Sequence, residues 1–300
     1  MSALGYFEEL CVALHHKWQP EANFVIFTAY MDEADTHDRE PTIIMSAFIG
    51  HAYQWRRFEA KLVKIQREFG FRIFHAKHFK SRSGEFSGWP PEKCKRLIAE
   101  LTELVSENLT EGLAVHLEYR RFKEEYRASP VPKGMNLDSQ YGVCFRACLA
   151  RIMTVLRDKG RKPTLHIVLE RGNPHSGDCE RIFNDFKMLW SENGSEFFGT
   201  FTLQDKQSCM PLMVADMLAA TYSMMRARKA AGELHPNAYR LKGPQKGSLA
   251  FIELAPDALV NLKLGYEAMR QKRRDFWLAK RRANLSARTA ALALTQEQSS

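Results

Sequence analysis

No Cys-x-x-Cys pair occurs among Cys11, Cys94, Cys144, Cys148, Cys179 and Cys209, so the spacing of a zinc ribbon is missing. Cys144 and Cys148 stand four apart, on one helix face, and reduced core thiols are the expectation. Gly-x-Ser-x-Gly is absent, which excludes the nucleophile elbow of a serine hydrolase. Neither Gly-x-Gly-x-x-Gly nor Gly-x-x-x-x-Gly-Lys-Ser/Thr occurs, which argues against dinucleotide and P-loop binding. No run of about twenty residues is apolar and uncharged, so no membrane span is expected. The longest candidate, residues 210–225, is too short and has Asp216 in its middle. Glu8 and Glu9 stand where a signal peptide needs a basic and then apolar start, so a cytoplasmic location is expected.

What is present fits a packed globular protein. The 300 residues are 45% hydrophobic and 26% charged, with 19 Phe and 5 Trp to fill a core. The net charge is +9, and it is unevenly spread. From residue 261 onward nine Lys/Arg face three Asp/Glu, so most of the excess lies in a basic carboxyl-terminal arm suited to a polyanionic partner.

Apolar, β-rich runs at 24–31 and 42–49 read as strands buried on both faces, and they could pair as a hairpin. Residues 51–69 have helical spacing through Trp55, Phe58, Leu62, Ile65 and Phe69, ending at Gly70. A short extended piece at 71–75 leads into a polar loop, and Pro90 and Pro91 then open a helix to about Glu107. Strands are expected at 113–119, 164–169, 197–203 and 249–254. Helices are expected at 139–158, from Asp178 as cap to about 192, and at 210–231. Residues 129–136, with Pro130, Pro132 and Gly134, read as a loop. Residues 257–282 read as a basic amphipathic helix, and 284–300 as a frayed tail. The alternation in the second half predicts parallel strands covered by helices, and the opening hairpin adds antiparallel pairing. The fold class is a mixed-sheet α/β domain over residues 1–256, followed by the basic helix and tail at 257–300.

Acidic residues stand where the pattern wants apolar ones. Asp32 and Glu33 end the first strand, Glu170 ends another, and Asp216 sits inside a helix apolar on nearly all sides. A buried lone carboxylate costs several kcal/mol, so Asp216 must be paired, protonated or metal-bound. The plain alternatives are a salt bridge to a neighbouring Lys or Arg for Asp216, and ordinary turn chemistry for Asp32 and Glu33. Carboxylates gathered from strand ends and a helix suit a hard cation, Mg²⁺ or Mn²⁺, and such ions activate water in phosphodiester hydrolysis. His75 is placed to assist proton transfer or grip phosphate. Lys77, His78, Lys80 and Arg82 make its loop basic, and His175 and Lys206 follow other strands, so these six groups are candidates for nucleic-acid contact. On the arm, Arg270, Arg273, Arg274 and Arg281 fall near Trp277 on one helix face, a pattern that suits a phosphate backbone and an unpaired base.

Four segments resemble the family called domain of unknown function 3800: YMDEAD at 30–35, FHAKHF at 74–79, VLERGNPHSGDCERIFNDF at 168–186, and DKQSCMPLMVADMLAA at 205–220. The resemblance spans about residues 23–232 and leaves the basic arm outside it. It implies a ribonuclease H-like fold and a nuclease-like acidic site at Asp32, Glu33, Glu170 and Asp216, with His75 nearby. Met213 departs from the family, whose members often have Gln at that place. Many relatives stand in bacterial mobile or defence loci, which by analogy points to phage defence. The resulting expectation is a metal-dependent nuclease acting on DNA or RNA, with the carboxyl-terminal helix also available to a protein partner. The rival is a catalytically silent nucleic-acid-binding or assembly module of the same fold. A third reading is a hydrolase of a phosphorylated small molecule.

Overall fold

The computed structural model describes residues 26–34, 42–109, 111–128, 137–157, 164–191, 197–232 and 248–297. Strands β1 (Ile26–Ala34) and β2 (Thr42–His51) are apolar on both sides, as their composition requires, and pair antiparallel, with Asp32 opposite Ser46. Helix α1 (Ala52–Phe69) follows without a break. Its amino end is closed by the His51 N–H donating to the Gln54 side chain at 2.9 Å, and its carboxyl end by Gly70 at φ 71°. Short helix α2 (Ala76–Ser81) leads to α3 (Pro91–Asn108), β3 (Glu111–Glu118) and α4 (Tyr119–Arg121), which runs on into a π-helical stretch at Phe122–Arg127. Then come α5 (Gln140–Arg157), β4 (Thr164–Glu170), α6 (Ser176–Ser191), β5 (Phe198–Gln204), α7 (Leu212–Ala230), β6 (Ser248–Glu253) and α8 (Pro256–Glu297).

The six described strands form one sheet in the order β5-β4-β1-β2-β3-β6. β2 runs against both its neighbours, β4 and β5 run parallel to β1, and β6 runs parallel to β3. This is a helix-flanked mixed sheet, the fold class expected from the alternation of strands and helices. Two apolar cores lie on its two faces. Ala29 and Met31 of β1 face a core closed by α5, α6 and the start of α8, while Tyr30 faces one closed by α1, α3 and α7.

Three local expectations are corrected. Residues 76–81, read as polar loop, form α2, because Phe79 and Phe86 anchor that segment against Phe74 with ring centroids 5.1–5.8 Å apart. α6 begins at Ser176, so Asp178 lies in its first turn, where its carboxylate accepts the Ser139 N–H at 2.7 Å. α8 continues through Glu297, past the expected end at 282 and through most of the expected frayed tail. Residues 24–25, 129–136 and 298–300, together with Cys11, lie outside the described residues.

Candidate functional site

The carboxyl ends of β1 and β4 lie side by side, with Met31 level with Leu169. Asp32 and Glu170, each one residue further on, therefore project from neighbouring strands onto the face that holds α7. Ser46, opposite Asp32, is small enough to let α7 close on the sheet. Its hydroxyl donates to the Ala215 carbonyl at 2.6 Å and lies 3.3 Å from the Asp32 carbonyl. That contact sets the next residue of α7, Asp216, beside the strand ends. The amino end of α2 supplies the remaining wall, where the Ala76 N–H donates to Asp216 Oδ2 at 3.0 Å.

All three carboxylates approach the Lys206 ammonium, which lies between them. Lys206 Nζ is 2.8 Å from Asp32 Oδ2, 3.4 Å from Asp216 Oδ2 and in direct contact with Glu170 Oε2. Lys206 is only 6% exposed, and Asp32 1%. Burial, together with a hydrogen bond shared with Glu170, pushes the Asp32 carboxyl well above its usual range, and Lys206 only partly opposes it. Burial likewise raises Asp216 against the pull of Lys206 and the Ala76 N–H. For Glu170 burial also acts upward, but the bond from Asp32 and the charge of Lys206 outweigh it, so its carboxyl lies low. Burial depresses Lys206, and the three carboxylates more than reverse that, so it stays charged. The cluster is thus three acids against one cation.

Among the described residues, no group of three or more His, Cys, Asp or Glu closes on a metal-sized point. The donor set still suits a hard divalent ion. It is all oxygen, it outnumbers its counter-charge, and Asp32 Oδ2 is enclosed with no aligned hydrogen-bond donor among the described residues, its contact with Lys206 being an ion pair. An ion entering this point must displace the ammonium.

His75 stands on the rim as the residue preceding α2, with Nδ1 4.0 Å from Asp216 Oδ2 and its side chain 39% exposed. Burial, then Lys206, lowers its pKa, which favours the neutral imidazole. Met213 points its sulfur at the Phe74 N–H, 3.4 Å away. Lys77, His78, Lys80 and Arg82 are exposed on α2 and its carboxyl end, next to this rim.

Other expected members are not brought in. Glu33 follows Asp32 on one strand and so points to the other face. There the Tyr141 hydroxyl donates to it at 3.0 Å and the Asn173 amide at 3.3 Å, and burial raises its pKa. Lys206, expected to contact nucleic acid, is buried in the cluster instead. His175 is an exposed turn residue whose N–H bonds the Asn173 side chain at 2.9 Å. On α8, Arg274, Trp277 and Arg281 are exposed, and the side chains of Arg270 and Arg273 lie outside the described residues. α8 is rooted through Ala258, Leu259 and Leu262 on the α5–α6 face, the face away from the cluster. Ser46 and the Ala76 N–H were not anticipated. A small polar residue within the apolar run 42–49 was the only mark of the former.

No protein-family model matches the sequence, nor does any curated protein. Similar solved structures include a glutamine-to-alanine mutant of Bst-RNase HIII, at 15% identity and a TM-score of 0.40. Bst-RNase HIII in complex with Mn²⁺ is similar at 16% and 0.39. Each comparison covers 73% of this chain and 61% of the other, so the chain spans less than two thirds of those proteins.

Proposed function

We propose that this chain is a metal-dependent hydrolase of phosphodiester bonds in DNA or RNA, with Mg²⁺ or Mn²⁺ held by Asp32, Glu170 and Asp216. The observation behind this reading is the convergence of these three carboxylates, from two strand ends and one helix, around one buried ammonium. A divalent ion there would activate water and stabilise the leaving oxygen. Lys206 holds the carboxylates together before an ion arrives. Glu170, with the lowest carboxyl of the three, offers a fully ionised ligand, while Asp32 and Asp216 must give up their raised affinity for protons. His75, neutral and open to solvent, accepts or returns a proton at Nδ1, and Lys77, Lys80 and Arg82 attract the phosphate backbone toward the rim.

One observation favours the rival reading, a silent nucleic-acid-binding module: the point is already filled by a lysine of the same chain. Calorimetric titration with Mn²⁺, followed by incubation with labelled single- and double-stranded DNA and RNA, separates the two. Saturable Mn²⁺ binding and metal-dependent cleavage support the hydrolase. Nucleic-acid binding without either supports the module.

A further inference from the structure

A cavity of about 320 Å³ opens beside the carboxylate cluster, between α2, α3 and α7. Its walls are apolar: Ala76 and Phe79 from α2, Pro91 and Ile98 from α3, Met217 and Met224 from α7. Lys80, Arg82 and Lys95 also line it, and no acidic residue does. Lys95 is engaged with Glu92 at 2.7 Å, an exposed pair that a ligand anion can replace. Lys80 and Arg82 make no ion pair among the described residues. An apolar pocket edged by cations fits a ligand with an apolar body and an anionic tail. The volume is at the lower end of the ~300–1,000 Å³ of small-ligand pockets, right for one ring system and too small for a helix or a peptide.

Its position narrows the choice. The pocket and the cluster share a wall: Ala76 lines the pocket and bonds Asp216 through its N–H, and Met217 is the residue after Asp216. A ligand seated here puts whatever follows its anionic tail at the carboxylates. We infer that this pocket takes one unpaired nucleobase of a single-stranded nucleic acid, its phosphates lying on Lys80 and Arg82, and so delivers the adjoining phosphodiester to the cluster. The inference rests on the hydrolase reading and adds a substrate class to it: single strands, or strands with a base swung out.

The test measures binding of a fluorescein-labelled 12-mer in EDTA, as single-stranded DNA, single-stranded RNA and duplex. Wild type should bind the single strands about tenfold more tightly than the duplex, and a 12-mer of abasic sites should lose that advantage. Ala220→Trp, which fills the pocket from α7, should weaken single-strand binding about tenfold and leave duplex binding unchanged, with a native circular dichroism spectrum. Lys80→Ala with Arg82→Ala should lower the salt slope for single strands by about 1.4, two phosphates at about 0.7 each. Equal affinity for intact and abasic strands, or full single-strand binding by folded Ala220→Trp, would overturn the inference. So would thermal stabilisation by dodecanoate that the oligonucleotide fails to compete away, which would assign the pocket to an acyl chain. Cleavage in Mn²⁺ keeps the two claims apart. Base-dependent binding without cleavage by wild type refutes the hydrolase and spares the pocket, while cleavage indifferent to Ala220→Trp refutes the pocket and spares the hydrolase.

Discussion

Replacing Lys206 with Met keeps most of the side-chain stem and removes the cation from among three carboxylates. At an effective dielectric of about 20, an ammonium 2.8 Å from Asp32 and 3.4 Å from Asp216 gains about 5–6 kcal/mol from each. Desolvation of the buried Lys206 offsets much of this, and breaking such a pair from one side costs about 3–5 kcal/mol. Lys206→Met should therefore be destabilised by about that amount in EDTA at pH 7.5. Two treatments should restore it. Burial already lifts Asp32 and Asp216 above their unfolded pKa of 3.8, and loss of the ammonium lifts them further. The folded form then binds more protons than the unfolded, so stability rises as pH falls toward 5. Mn²⁺ at a hundred times its Kd should return about 2.7 kcal/mol. Urea denaturation followed by tryptophan fluorescence, at both pH values and with and without Mn²⁺, reads all three effects. A variant as stable as wild type in EDTA and indifferent to pH and Mn²⁺ would refute this account of the cluster.

Asp32→Asn and Asp216→Asn should each abolish Mn²⁺-dependent cleavage while leaving nucleic-acid affinity unchanged or higher, since repulsion of phosphate falls. Gel-based cleavage and anisotropy measure the two, and full activity in both variants would exclude the mechanism. His116 is fully buried with neither ring nitrogen hydrogen-bonded among the described residues, and burial, aided by Arg226 and Arg121, depresses its pKa from 6.5 to about 3. The unfolded chain binds the proton first, so stability should fall as pH drops from 6.5 toward 3, by about 1.4 kcal/mol per unit, and His116→Leu should flatten that part of an acid-denaturation curve. Deleting residues 270–300 should leave the carboxylate cluster and Mn²⁺ binding intact, because α8 is rooted on the other face by residues before 264. If the arm grips phosphate, the salt slope should fall by about 0.7–0.9 for each phosphate the truncated chain no longer neutralises, and an unchanged slope would assign the arm to packing or a protein partner.

The sheet was legible because β1, β2 and β4 are apolar on both faces, a pattern that only a central strand of a covered sheet explains. Asp216 was legible for the converse reason, a carboxylate in a helix with no polar side to turn outward. The misplacement of Glu33 was avoidable: adjacent strand residues point to opposite faces, so Asp32 and Glu33 could not both enter one cluster. Lys206 was not legible, since a lysine after a strand looks like any surface cation until the three acids around it are known to meet. α2 was hidden by its charged residues, although Phe79 and Phe86, seven apart, were the anchors. The continuation of α8 had its signal in the alanines after residue 282, which are the strongest of helix formers.

The scatter of the cluster along the chain fixes when it can exist. β1 is synthesised early and pairs at once with β2, but its other edge, which belongs to β4, stays open until residues 164–170 are made. Lys206 and Asp216 come later still. At about 5–20 residues per second, the interval between Asp32 and Asp216 lasts roughly 10–40 s on the ribosome. Until β4 is made the growing chain has an apolar, unpaired strand edge, which invites contact with other nascent chains, and until residue 216 the cluster is incomplete. Stalling or truncation before residue 164 therefore leaves the β1 edge bare, and truncation before residue 206 leaves the cluster without Lys206 and Asp216.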